Sequence, residues 1–392
     1  MKAVSKLTFV THLQCSSCGE HYNLREIQHF ATCCNKPLLV RYKPQPGFSP
    51  EKFSGEPQSM WHYREMLPVL DEKNIVSLGE GMTPVFPLKN LGNKNDIPNL
   101  WLKDESNNPT GSFKARGLSV AVSKAKELGI KRCIIPTAGN AGGAMSAYCA
   151  KAGIESIVVM PRHTPKPFKD ECEFFGAQLI LVDGLISDCA KKVASIKKDI
   201  ECFDLSTLKE PYRIEGKKTM GYEIFEQFNG ELPDVILYPT GGGTGLIGIW
   251  KAFNEMIQMG WIKGKLPRMI AVQAKNCQPI VATWTGVQPN CLHYSGTPSI
   301  ANGLAVPHPF GEVLILKTLR ESRGLPIAIS DEDMLQSVSE IAREEGLFIA
   351  PEGASLWKAT LELIDKGFIE RNEKILLLNT GSGYKYLENL AM

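Results

Sequence analysis

From about residue 100 onward, hydrophobic positions follow two alternating patterns. Short apolar or β-branched runs predict strands at Leu100–Asp104, Lys131–Pro136, Ser156–Met160, Gln178–Val182, Asp234–Tyr238, Met269–Gln273 and Lys374–Leu378. Between them lie longer stretches whose apolar residues recur every three or four positions. These predict helices at Leu118–Leu128, Ala141–Gly153, Phe168–Gly176, Ile186–Lys198, Leu246–Gly260, Asp331–Glu345 and Ser355–Lys366. Ser330, with Asp333 three residues on, is placed as the N-cap of one of them. The β-α-β-α rhythm predicts an α/β fold with parallel sheets covered by helices on both faces.

The first hundred residues break this rhythm. Residues 46–98 are rich in Pro and Gly, with a short helix opening at Trp61-His62-Tyr63-Arg64 and a turn over Gly79–Pro84 that leads into an extended stretch. Residues 276–310 carry many Pro, Gly, Asn and His and are expected to form loops at the active site. Tandem repeats and low-complexity tracts are absent from the sequence.

Composition narrows the class. A chain of 392 residues with 43% hydrophobic residues has enough apolar surface for two domains and an appendage. Net charge is +2 with both signs interspersed, so neither nucleic acid nor an anionic membrane is expected as the main partner. The start, Met1–Lys6, is basic, but Leu7–Val10 is too short for a secretory core, and no apolar run approaches the ~18 residues that span a bilayer. Seven of the eleven cysteines are scattered from Cys133 to Cys291, which fits a reducing, cytoplasmic compartment.

The other four cysteines lie close to the N-terminus. Cys15-Ser16-Ser17-Cys18-Gly19 has the shape of a zinc knuckle, and Cys33-Cys34 follows fifteen residues later. Adjacent side chains converge on one ion only where the backbone bends. Three outcomes therefore stand open: a four-cysteine site, a site completed by His21 or His29, or a small ribbon whose second knuckle no longer holds metal.

Three glycine-containing loops each follow a predicted strand and open a predicted helix. Gly241-Gly242-Gly243-Thr244-Gly245 puts four glycines and a threonine into five residues. Side-chain-free amides at a helix start suit a phosphate. The same loop matches the dinucleotide spacing through Gly243, Gly245 and Gly248, but the next strand ends Val272-Gln273-Ala274-Lys275 with no carboxylate for a ribose. NAD is thereby disfavoured, and NADP survives only through Lys275. Thr137–Gly143 offers Asn140, either an amide for a ligand oxygen or an ordinary N-cap. Pro109–Gly117 offers Lys114. A lysine taken alone is usually a solvated surface charge. One at a helix N-terminus among Ser112, Phe113, Gly111 and Gly117 is placed to act as an amine nucleophile that forms a Schiff base. A fourth loop, Asn379–Tyr384, carries Thr380, whose hydroxyl suits an unprotonated ring nitrogen; the plain alternative is a strand-ending turn.

Taken in this order, the loops resemble the fold-type II pyridoxal-phosphate enzymes, and most narrowly the threonine synthases. The motifs that carry the resemblance are Asp104–Lys114, Gly139-Asn140, Pro211–Thr219, Gly241–Gly245 and Thr380-Gly381. The resemblance implies an N-terminal zinc-ribbon-like segment over residues 1–45. It also implies a large cofactor-binding domain over 46–112 and 216–392, and a small domain over 113–215. Lys114 is then the catalytic lysine. Phe113 lies beside the ring, Asn140 bonds the 3′ oxygen, Gly241, Gly242, Gly243, Thr244 and Gly245 hold the phosphate, and Thr380 faces the ring nitrogen. The implied reaction converts O-phospho-L-homoserine and water to L-threonine and phosphate. Such a substrate needs a second phosphate site, with Thr137, Arg116, Arg213, Lys217 and Lys218 as candidates. A homodimer is expected by the same analogy.

Four residues depart from the family pattern. Ala115 stands where aspartate is usual, Ala141 where a threonine is frequent, Glu210 where asparagine is common, and Lys217 where glutamine is usual. All four touch the expected substrate side rather than the cofactor side. A serine or threonine dehydratase, a β-replacement enzyme and a non-catalytic sensor are the rival functions within the fold. An NADP-dependent oxidoreductase is the rival outside it.

Overall fold

The computed structural model describes residues 7–390; the basic start Met1–Lys6 lies outside them. Among the described residues the strands are, in chain order, β1 (Val10–Cys15), β2 (His21–Tyr22), β3 (Leu38–Tyr42), β4 (Val85–Pro87), β5 (Leu100–Asp104), β6 (Arg132–Pro136), β7 (Glu155–Pro161), β8 (Gln178–Val182), β9 (Phe203–Asp204), β10 (Val235–Pro239), β11 (Arg268–Ala274), β12 (Leu325–Ile329) and β13 (Ile375–Asn379). The chain divides into two compact units. The first is Met1–Met82, Lys114–Tyr222 and Lys251–Lys263; the second is Thr83–Phe113, Glu223–Trp250 and Gly264–Met392.

The second unit is built on a six-stranded sheet in the order β12-β11-β10-β13-β5-β4. The first five run parallel, and β4 pairs antiparallel with β5 at the edge, so this sheet is mixed rather than wholly parallel. Every residue of β10 and β13 is buried, as expected of central strands covered on both faces. Leu102, Val235, Leu237, Ile270, Val272 and Leu377 from the sheet pack with Met334, Trp357 and Leu363 from the helices. Each fully buried aliphatic side chain contributes about 1.5–3 kcal/mol.

The first unit contains a parallel four-stranded sheet, β8-β7-β6-β9, and a three-stranded antiparallel sheet, β2-β1-β3. Ile134, Ile157 and Val159 of the parallel sheet pack on Cys189 and Val193 of the helix Ile186–Asp199. Residues 46–82, grouped above with the large domain, fall in this unit. Their ties are specific: the Trp61 indole donates to Glu80 (2.9 Å) and Ser119 (3.0 Å), and the Val76 amide donates to Ser123 Oγ at 2.8 Å. Lys251–Lys263 joins it as well, since the Trp261 indole donates to the Phe48 carbonyl at 2.7 Å.

The helix Asp331–Glu345 shows the predicted cap, with Ser330 Oγ accepting the Asp333 amide at 3.1 Å. Ser330→Ala is expected to cost about 1 kcal/mol. This is checked as a lower urea midpoint at unchanged slope.

Candidate active site

In the second unit β10, β13 and β5 are adjacent and parallel, so their carboxyl ends lie side by side. That end is where open α/β sheets hold ligands. Each of these strands feeds a loop singled out in the sequence. The loops after β5 and β13 are stitched together: the Phe113 amide donates to the Thr380 carbonyl (3.1 Å), the Ser382 amide to Gly111 (3.0 Å), and Lys385 Nζ to Thr110 (2.7 Å). Asn379 Nδ2 donates to Asp104 Oδ1 at 2.6 Å and ties the two strand ends. Thr110 sits in the left-handed region at φ 61°, a conformation costing about 1–3 kcal/mol that these contacts hold in place. The Phe113 ring meets Tyr238 of β10 edge-on, with centroids 6.1 Å apart, which brings in the loop after β10.

That third loop leads into the helix Thr244–Gln258. A Cβ at Gly241 would lie 2.2 Å from the Gly303 carbonyl oxygen, and one at Gly245 would lie 1.8 Å from Tyr238 Oη. Gly243 has φ +74°. The loop is thus pressed on its neighbours as bare backbone. What remains is an edge of amides at a helix start, carrying no side chain but Thr244. This is a cradle that fits a phosphate group. It fits a dinucleotide poorly, because Gln273 stands where the ribose carboxylate belongs. Its amide donates to the Thr240 carbonyl (3.2 Å), and its Oε1 accepts the amides of Ile280 (2.9 Å) and Val281 (3.2 Å). A second lysine of this unit, Lys103, is sequestered by Glu223 (2.8 Å) and Gln227 (3.0 Å) and is structural.

In the first unit Lys114 is the first residue of the helix Lys114–Glu127, and Arg213 is the first of the helix Arg213–Gln227. The two helices cross at paired glycines. A Cβ on Gly216 would lie 2.0 Å from the Arg116 carbonyl oxygen, and one on Gly117 would lie 2.7 Å from that of Arg213 and 3.1 Å from Lys217 Nζ. This close crossing sets Arg213 and Lys217, one helical turn apart, against the start of the Lys114 helix. Arg116 is buried and donates to Thr219 Oγ1 at 2.9 Å.

Lys217 is fully buried. Burial, and then the Arg213 and Lys114 cations, hold its ammonium well below the ordinary lysine range. Burial also lowers the Arg213 guanidinium, whose Nη1 donates to Leu205 O while Nε has no hydrogen-bond partner among the described residues. Glu210, whose carboxyl is pushed up by burial, accepts the amides of Tyr212 (2.7 Å) and Arg213 (3.0 Å) through Oε2 and so caps the helix.

Lys218, the remaining lysine of the expected phosphate set, is held by carboxylates. One position beyond Lys217, it lies on a different helix face and is paired with Glu215 (2.8 Å) and Glu255 (3.0 Å) above the Tyr42 ring. In the Thr137 loop the N-cap position belongs to Gly139. Asn140 is the first helical residue, so its amide is not the helix cap. The Thr137 hydroxyl accepts the Gly139 amide at 3.2 Å. Tyr238 and Asp104 hold the cluster together but were not singled out as site residues, since a tyrosine in a buried strand reads as core. The four N-terminal cysteines gather their sulfurs within 4.8 Å of one another, without either histidine. No helix among the described residues is long and apolar enough to cross a membrane.

The sequence pattern of the pyridoxal-phosphate dependent enzymes matches residues 76–381. Threonine synthase of Methanocaldococcus jannaschii is 34% identical over 377 residues, covering 95% of this chain and 92% of the relative. Threonine synthase of Mycobacterium bovis is 33% identical over 324 residues, covering 82% and 87%. Among solved structures, maize serine racemase superposes with a TM-score of 0.65 at 20% identity, covering 78% of this chain and 93% of that one. The processed form of threonine deaminase isoform 2 from Solanum lycopersicum superposes with a TM-score of 0.64 at 17% identity, covering 89% and 95%. The superpositions show the shared fold. With a match over most of its length and full-length relatives above 30% identity, the chain belongs to the pyridoxal-phosphate dependent enzymes, in the group of the threonine synthases.

Proposed function

We propose that this protein is a threonine synthase, converting O-phospho-L-homoserine and water to L-threonine and phosphate. The observation that carries this reading is a second set of anion-binding groups. The glycine loop of the second unit suits the cofactor's phosphate. Arg213 and Lys217, buried beside the Lys114 helix in the first unit, suit the phosphate of a substrate. A dehydratase acting on free serine or threonine has no use for two buried basic side chains there.

When bound, pyridoxal phosphate supplies the electron sink that makes the hydrogens at the substrate's Cα and Cβ acidic. The remaining work falls to the chain. Gly241, Gly242, Gly243, Thr244 and Gly245 would hold the cofactor phosphate, Asn140 its 3′ oxygen and Thr380 its ring nitrogen, with Phe113 against the ring. Lys114 would take up and return the protons at the substrate's carbons. Arg213 and Lys217, with Arg116 and the Thr137 hydroxyl, would hold the phosphate as its bond to Cγ breaks; Cγ then takes a proton, and water adds at Cβ. The reading includes a cytoplasmic homodimer; in keeping with a reducing compartment, none of the eleven cysteines is in a disulfide.

A substrate panel tests the reading, with phosphate and α-keto acid measured in parallel. O-phosphohomoserine is expected to release one phosphate per threonine formed, with no keto acid. Pyruvate or 2-oxobutyrate from serine or threonine, with no phosphate from O-phosphohomoserine, would replace this reading with a dehydratase.

A further inference from the structure

The strand β2 is two residues long, and the sheet it belongs to is held at one end by two turns. The first turn follows β1. Gly19 takes φ +82°, its amide donates to the Cys15 carbonyl at 3.2 Å, and the Ser17 amide points at Cys15 Sγ from 3.4 Å. An N–H aimed at sulfur in this way stabilises a thiolate. The second turn is closed by the bridge between Ala31 and Lys36, with Asn35 at φ +50°. The Cys33 amide donates to Tyr22 Oη at 3.1 Å, and the Ser16 amide donates to Pro37 O at 3.0 Å, which fixes one turn against the other. The bend at residues 32–35 is what adjacent cysteines need to aim at one point. All four sulfurs lie within 4.8 Å of one another, and Cys18 Sγ is 3.4 Å from Cys33 Sγ. A tetrahedral ion with bonds of about 2.3 Å to sulfur sets sulfur–sulfur edges of about 3.8 Å, which this spacing brackets.

We propose that Cys15, Cys18, Cys33 and Cys34 bind one Zn²⁺ in a closed four-thiolate site that staples the N-terminal ribbon. Four soft ligands favour zinc over magnesium or calcium, and a filled coordination shell makes the site structural rather than catalytic. Binding releases the thiol protons as the metal takes their place. The staple bears on the rest of the unit through β3. Its last residue, Tyr42, donates to Glu215 at 2.8 Å, and Lys218 sits 3.8 Å from the centre of its ring. Both partners lie on the helix that carries Arg213 and Lys217.

The full-length holoenzyme, purified without chelators, tests the proposal. Metal analysis is expected to find about one zinc per chain, and cobalt replacement is expected to give intense thiolate-to-metal charge transfer and tetrahedral bands. Cys18→Ser/Cys33→Ser is expected to lower zinc to under about a tenth of an equivalent, while Cys202→Ser keeps it. Should the double variant fail to fold, the wild-type stoichiometry and cobalt spectrum still decide. Zinc below about a tenth of an equivalent in wild type after incubation with the metal, with no charge transfer from cobalt, overturns the proposal. A Cys18–Cys33 disulfide in protein prepared without oxygen overturns it as well.

Discussion

Lys114→Ala is expected to remove the borohydride-sensitive visible absorbance of the holoenzyme and to lower turnover by at least about a thousandfold. The size of the effect follows from where the lysine is held. Phe113, its neighbour in the chain, is bonded through its amide to Thr380 and packed on Tyr238, so the backbone entering Lys114 is fixed. The lysine then opens a fourteen-residue helix whose next three residues are buried. Two other buried lysines, Lys103 and Lys218, are engaged by carboxylates. Lys114→Arg is expected to fail equally, because a guanidinium stays protonated and cannot serve as an amine. Cofactor content measured after denaturation should remain in both variants, since the glycine loop is untouched. Retention of absorbance and turnover in Lys114→Ala would move the catalytic role to another residue.

Elements with a polar face were legible from the chain. The helix Asp331–Glu345 and the strand β8 have the predicted bounds, because their patterns begin and end at clear punctuation. The helix Arg213–Gln227 was seen only as a motif, since nearly all of it is buried and no polar face marks its period. The strand β12 was missed for another reason. It contains Pro326, which argues against a strand, yet it lies at the edge of its sheet, where a proline is tolerated. Likewise, the helix Glu312–Glu321 begins with the apolar run Val313-Leu314-Ile315-Leu316, which by itself fits strand or helix. The cofactor loops were legible because glycine, threonine and lysine at strand ends carry chemistry in their identity. The support beneath them was not. The crossing at Gly117 and Gly216 joins residues 99 positions apart (216 − 117), and no local pattern announces it.

Two of the four departures from the threonine synthase pattern lie on the Arg213 helix of that crossing or cap its start. Glu210 and Lys217 replace two neutral amides with opposite charges, and the two act on each other electrostatically beside Arg213. One exchange alone buries an extra charge; both together add none in total, so they read as a compensated pair. Lys217→Gln is accordingly expected to cost about 2–4 kcal/mol of binding to the phosphorylated substrate, roughly 30- to 1,000-fold in kcat/KM. Glu210→Asn/Lys217→Gln is expected to recover part of this, with a coupling of about 0.5–3 kcal/mol. A merely structural lysine would not give the accompanying proton signature. In the free enzyme Lys217 is held below its ordinary range, so above that lowered pKa it is neutral. A phosphate dianion beside it favours the ammonium and raises the pKa. Between the lowered and raised values, wild type should therefore take up a proton as it binds O-phosphohomoserine, and Lys217→Gln should not. Calorimetry in buffers of differing ionisation enthalpy measures this uptake directly. Equal heats across buffers in wild type, at every pH between neutrality and the ordinary lysine range, would separate Lys217 from the substrate phosphate and leave Arg213 to hold it.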